Sequence, residues 1–130
     1  MAVERRGSGG PWEDRYGYSR VVVADGHAWV AGCTATVDGE IRHLGDPHAQ
    51  ALTAFGTAVE ALAGAGFTVA DVVRTRMYAV HAEDIDAIGR AHAEVFGSVR
   101  PAATAVVVAG LVDAGMLVEV DVEAYRSERP

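Results

Sequence analysis

Apolar β-branched runs and runs with a helical period take turns along this chain. Arg20-Val-Val-Val, within Ser19 to Ala24, meets the turn signal Asp25-Gly26, and Ala28-Trp-Val-Ala-Gly-Cys33 follows as its partner. Two such runs joined by Asp-Gly predict a β-hairpin. Thr34 to Gly45 reads as a loop with a brief strand at Glu40-Ile41-Arg42. The period then changes. Asp46-Pro47 supplies a capping acid and a proline at the first helical position. Leu52, Phe55, Val59, Leu62 and Ala63 recur at helical spacing, with Gly56 beside them, and Gly64-Ala-Gly66 ends the run. A strand is predicted over Val72 to Val80, with Arg74 and Arg76 sharing one face. A second helix opens near Ala82-Glu-Asp, carries the stripe Ile85, Ile88, His92, Val95 and Phe96, and ends at Gly97. Two apolar runs follow, Arg100 to Leu111 and Met116 to Tyr125, around a short Val-Asp-Ala-Gly connection, and these read as paired strands.

The predicted order is ββ-α-β-α-ββ. Neither helix can bury its stripe alone, so both should pack on one face of a single sheet. Val21, Val23, Val106, Val108, Val118, Val120 and Val122 suggest apolar content on both sheet faces. An exposed apolar face of that size predicts self-association through it. Residues 1–15 read as a loose N-terminal arm anchored by Trp12, and residues 16–130 as a single domain.

Composition narrows the function classes. Half of the 130 residues are hydrophobic, enough for one core. The formal net charge of −7 disfavours nucleic acid and anionic membranes as partners, and no Arg cluster appears beyond Glu4-Arg5-Arg6. Cys33 is the single cysteine, so no intramolecular disulfide can form. Met1 to Gly10 is polar and Gly-rich without the apolar centre of a signal peptide, and no run approaches a membrane span. A cytoplasmic protein is the expectation.

Strand alternation places Ala103, Ala105, Val107 and Ala109 on one face of the first C-terminal run. Glu119, Asp121, Glu123 and Tyr125 share a face of the second. If those faces meet at a pocket, it has a small-residue wall and an acid at its rim. Cys33 reads as a small buried hydrophobe, because a nucleophile needs a lowered pKa and a base beside it. His92, on an apolar stripe, reads as a satisfied core or interface histidine. The five histidines show no metal-ligand spacing. Gly64-Ala-Gly66 closes a helix instead of opening one, so it is no phosphate cradle.

Several segments, taken in order, resemble the reactive intermediate deaminase (Rid, YjgF-like) family, also called L-PSP endoribonucleases. They are Gly17-Tyr18, Val30-Ala-Gly32, Ala63-Gly-Ala-Gly66 followed by Asp71-Val-Val-Arg-Thr, Arg90-Ala-His-Ala-Glu-Val-Phe96, Arg100-Pro-Ala-Ala-Thr, and Leu117-Val-Glu-Val120. The resemblance implies an α+β, chorismate-mutase-like (Rid) fold. It also implies a mixed sheet with two helices on one face and a homotrimer around a central barrel with clefts between subunits. It further implies cofactor-free hydrolysis of imines and enamines such as 2-aminoacrylate to a keto acid and ammonia. By position, the family's tyrosine falls on Tyr18 and its water-handling glutamate on Glu119, the two expected catalytic residues. The cleft would be lined by Ala31, Gly32, Cys33, Ala103, Thr104 and Ala105, with no metal and no cofactor.

One position departs from the family. The arginine that grips the substrate carboxylate is replaced by Ala103. Arg100 lies three residues away on an extended run, beyond Pro101, and points to the other face. A carboxylate would meet Glu119 without a counter-ion, so hydrolysis of 2-aminoacrylate is expected to be weak or absent. Less cationic surroundings should also favour the neutral acid form of Glu119. The expected function is therefore an inter-subunit cleft for a small imine, enamine or related carbonyl metabolite. The alternative is a non-catalytic metabolite-binding or regulatory trimer. Ribonuclease activity is opposed by the negative charge.

Overall fold

The computed structural model describes residues 2–127, so the last three residues of the expected domain lie outside it. Six strands form one sheet in the order β1-β2-β3-β8-β6-β7. They are β1 (Glu4–Arg6), β2 (Val21–Ala24), β3 (His27–Cys33), β6 (Val72–Ala79), β7 (Ala102–Val107) and β8 (Val118–Tyr125). A small ribbon, β4 (Thr36–Val37) and β5 (Glu40–Ile41), stands apart from the sheet. The helices are α1 (Pro11–Tyr16), α2 (Pro47–Gly64) and α3 (Ile85–Phe96).

The expected hairpin forms. β2 and β3 pair antiparallel through Asp25 and Gly26, both at positive φ, the backbone that a tight two-residue turn requires. A Cβ at Gly26 would also collide with the carbonyl of Arg126. Asp46 caps α2 by accepting from the Ala49 amide at 3.0 Å. α2 and α3 cover one face of the sheet, with Phe55 and Phe96 meeting edge to face at 5.2 Å between ring centres. The buried stripe of α2 runs through Gln50, Ala51, Ala54, Phe55, Ala58 and Leu62, rotated from the expected one. Leu52 and Val59 are only partly buried, and Ala63 is exposed. Small alanines face the sheet because they let the helix approach it closely.

Three expectations change. The C-terminal runs do not pair: β8 lies between β3 and β6, and β7 pairs parallel with β6 at the sheet edge. The reason is connectivity. α3 carries the chain across from the end of β6 back to its start, which makes β6-α3-β7 a parallel crossover unit. The segment after β7 then returns to the sheet on the other side of β6. The N-terminal segment is also not loose, since β1 adds to β2 and α1 is pinned by the buried Glu13. Finally, the open sheet face is mixed instead of uniformly apolar. Val21, Val23, Val118, Val120 and Val122 all turn toward the helices. The face they leave carries Val22, Trp29, Arg74, Arg76, Tyr78, Val106, Asp121 and Glu123, paired with one another across the strands. Val106 and Val107 are exposed because β7, at the edge, is exposed along its whole length.

Candidate functional site

The site begins with a defect in the β3–β8 ladder. Val30 pairs with Val122 and Cys33 with Val120, so two residues of β3, Ala31 and Gly32, oppose one residue of β8, Asp121. That is a β-bulge, which bends the strand and re-aims what lies beside it. Here it brings Gly32 against the carboxylate of Glu119, on the next turn of the pleat of β8. Any Cβ at residue 32 would overlap the Glu119 carboxyl group. A side chain there would have to push the Glu119 carboxyl group aside.

Glu119 is half-buried, and no hydrogen bond to its carboxylate is found among the described residues. Burial pushes its pKa up, the nearby Asp121 carboxylate adds to the rise, and the Arg20 guanidinium opposes it. Asp121 is itself committed. It accepts from Arg76 Nε at 2.9 Å and from Tyr78 Oη at 2.8 Å. The proton on Glu119 is thus held more tightly than on an ordinary glutamate, the direction expected, but burial is the leading cause.

Arg20 is the residue that sequence reasoning missed. Its Nη1 donates to the carbonyls of Ala31 at 3.2 Å and Gly32 at 2.7 Å, and its Nε lies 3.5 Å from Glu13 Oε2. One guanidinium therefore ties the bulge to α1. Glu13 also accepts from the Ser8 amide at 2.8 Å and from the Ser8 hydroxyl. Burial pushes the Glu13 carboxyl up, but the Ser8 hydrogen bonds and Arg20 outweigh it, leaving its pKa below the ordinary value. The sequence offered only an arginine at the start of a strand and an acid in an arm that looked loose.

These elements enclose a cleft of about 830 Å³. Glu119, Gly32, Cys33 and Tyr18 all line it, so four of the expected site residues converge. Tyr18 stands at its exposed edge, with the Arg20 guanidinium 5.7 Å from its ring centre. Cys33 is buried, and its thiol faces the Ala31 carbonyl at 3.3 Å. Burial pushes the thiol pKa up, against a smaller opposing effect of Arg20, which leaves a poor nucleophile.

Ala31 does not line this cleft, and neither do Ala103, Thr104 or Ala105. The register explains the last three. Glu119 pairs with Tyr78, which pairs with Val106, so those residues share the open face. Ala103 and Ala105, odd-numbered steps from Val106, point to the opposite face, and β7 is two strands from β8, about 10 Å away. Thr104 shares the open face but is aligned with Asp121. Within one chain, the wall and the acid expected to meet do not.

His92 behaves as a core histidine. Its Nε2 lies 2.8 Å from Thr75 Oγ1, its ring packs on Phe55 and Phe96, and burial pushes its pKa down. No cluster of three or more His, Cys, Asp or Glu side chains suited to a metal ion occurs among the described residues. No described helix is long and apolar enough to cross a membrane.

The two-helix, six-stranded mixed sheet with a bulge-flanked glutamate defines an α+β protein of the YjgF/UK114 kind. The chain belongs to the family described as Endoribonuclease L-PSP, whose model matches residues 13–126. It is 37% identical to Rv2704 of Mycobacterium tuberculosis, a member of the YjgF/YER057c/UK114 family. That structure superposes with a TM-score of 0.87 over 96% of this chain and 100% of the other. PA3499 of Pseudomonas aeruginosa, a protein of unknown function, is 32% identical with a TM-score of 0.81, over 95% and 92% of the two chains. SCO2049 of Streptomyces coelicolor, an uncharacterized protein, is 50% identical over 125 residues, 96% of this chain and 93% of that one.

Proposed function

We propose that the cleft binds a small imine, enamine or related carbonyl compound without a carboxylate, and that Glu119 acts on it as a general acid and base. The observation that carries this reading is the half-buried Glu119 carboxyl group, unengaged by hydrogen bonds and raised in pKa, at the wall of an open cleft. A carboxyl group so placed keeps a proton to give near neutral pH more readily than a solvated one. In hydrolysis, Glu119 protonates the imine nitrogen and water adds to the carbon while returning a proton to the carboxylate. That proton then goes to the nitrogen of the departing amine, and the carbinolamine hydroxyl gives its own proton back to the carboxylate as the carbonyl forms and the C–N bond breaks. Tyr18 supplies a hydroxyl at the mouth. The sequence contains no lysine, so no side-chain amine is present to form a Schiff base with a carbonyl ligand.

In this reading three chains assemble, and β7 of one subunit closes the cleft of the next, which brings Ala103, Thr104 and Ala105 to Glu119. They contribute no cation there. The one cation of the cleft, Arg20, is already engaged by Glu13 and two carbonyls. 2-Aminoacrylate is accordingly a poor substrate. The second reading, binding without turnover, is favoured by the absence of a hydrogen bond orienting Glu119 among the described residues.

Turnover assays with carboxylate-free imines and with 2-aminoacrylate test the proposal. Glu119→Gln should abolish ammonia or amine release while leaving binding measurable, because general acid–base catalysis supplies about 10²–10⁴-fold. Ala103→Arg should raise 2-aminoacrylate hydrolysis. Unchanged turnover in Glu119→Gln would overturn the catalytic role, and binding without turnover in the wild type would establish the second reading.

A further inference from the structure

The ligand's polarity and charge are legible in the cleft walls. In one chain the cleft is open and measures about 830 Å³, and in the proposed assembly β7 of a neighbouring subunit narrows it. One side of the cleft is apolar: Trp12, Ile41, Val112 and Met116 line it. Trp12 and Val112 are also among the exposed large hydrophobic residues. Trp12 is not there by accident of a flexible terminus. Pro11 starts α1, Gly17 at φ 78° ends it, and Glu13, locked by Ser8 and Arg20, fixes which side of the helix turns toward the sheet. Trp12, one residue before, is held at the mouth, stacked on Tyr16 at 5.4 Å.

The charges point the same way. Four carboxylates line the cleft, those of Glu13, Asp38, Asp113 and Glu119, against the single guanidinium of Arg20. Arg20 and Glu13 neutralise each other. Asp38 and Asp113 form no ion pair among the described residues, and Glu119 has the Asp121 carboxylate beside it, so the cleft's net charge is negative, with aromatic rings at its rim. Such surroundings repel anions and attract cations.

We propose that the cleft selects a hydrophobic amine-type cation, an iminium or ammonium carrying an aryl or long alkyl substituent and no carboxylate, with its nitrogen toward Glu119 and its substituent against Trp12. This rests on the reading of the cleft as the ligand site, and it narrows the ligand from any small imine to a bulky cationic one. The acid that protonates an imine and the carboxylate that holds the resulting cation are the same group, so the preference extends to the amine product.

Calorimetric titration of the full chain with phenethylamine, phenylacetate and ethylamine tests this, since the three separate charge from bulk. Phenethylamine should bind about tenfold more tightly than either of the others, with the preference over phenylacetate shrinking as salt is raised. Trp12→Ala, at an exposed position, should lower phenethylamine affinity toward that of ethylamine and leave ethylamine unchanged. Glu119→Gln should narrow the gap between phenethylamine and phenylacetate. Equal or tighter binding of phenylacetate overturns the inference, as does an unaltered phenethylamine affinity in Trp12→Ala. The outcome is separable from that of the catalytic reading. Cation-selective binding without imine turnover sinks only the catalysis, and turnover with a preference for anions sinks only the selectivity.

Discussion

Glu119 and His92 are two half-buried titratable groups whose burial acts in opposite directions on acid stability. The folded pKa of Glu119 lies above its ordinary value, so the native state holds a proton that the unfolded chain releases. Its contribution to stability is fully present below the unfolded value of about 4.3 and is lost as pH rises through the folded value. Glu119→Gln should therefore melt at a higher temperature than the wild type at pH 7, with the two curves converging in acid. His92 is lowered by burial, so its contribution is present above about pH 6.5 and is lost as pH falls through the lower folded value. Thermal melts of His92→Gln and wild type should thus draw together as the buffer is acidified, the reverse of the pH 7 gap expected for Glu119→Gln. The residue types are legible in the sequence, and the stripe on which His92 lies points to a core or interface histidine. The bulge that presses Gly32 on Glu119 is not legible there, because a bulge depends on how two strands distant in the chain come into register.

At the scale of elements, the connection between β7 and β8 shows what periodicity omits. Its path is fixed by Gln50, a fully buried residue of α2. Gln50 Nε2 donates to the carbonyls of Gly115 at 2.9 Å and His43 at 3.3 Å, and its Oε1 accepts from the Leu117 amide at 2.9 Å. One side chain thus ties the helix start to both loops that border the cleft and sets where β8 begins. Gln50→Ala should cost about 2–4 kcal/mol in denaturant unfolding, because it removes three hydrogen bonds to part-buried backbone groups and leaves a cavity. A loss below about 0.5 kcal/mol would mean that the loops do not depend on it. A glutamine within a run of alanines carries no sequence signal of this role, since its partners lie up to 67 positions away. The caps, by contrast, were legible. Asp46, Pro47 and the Asp25-Gly26 turn act on neighbours within four residues.

For the whole molecule, the valine runs promised an apolar open face and the structure has a mixed one. What remains unpaired are the sheet's two edge strands, the three-residue β1 and the longer β7, each exposed along its full length. An edge of that kind is a template for pairing with another chain. Light scattering at micromolar concentration should give a mass three times that of the 13.6 kDa chain, and a single-chain mass would refute the trimer. The driving force would then be strand edges and the aromatic and charged groups of the open face, such as Trp29 and the Arg76–Asp121 pair, more than a broad apolar surface.

The sequence by itself determined what is local. Hairpin turns, helix caps, the two helices, the family pattern and the positions of Glu119 and Tyr18 depend on residues close together or on their order along the chain. Only the tertiary structure decided that β8 inserts between β3 and β6, that Val21, Val23, Val118, Val120 and Val122 face the helices, and that Glu13 and Arg20 join the N-terminal segment to the bulge. It also decided that Ala103 stands on the other face of the sheet from Glu119. Sheet order, register and the direction of a long side chain are set by contacts between distant segments, where burial of the whole apolar set selects one arrangement among many that satisfy the same local pattern.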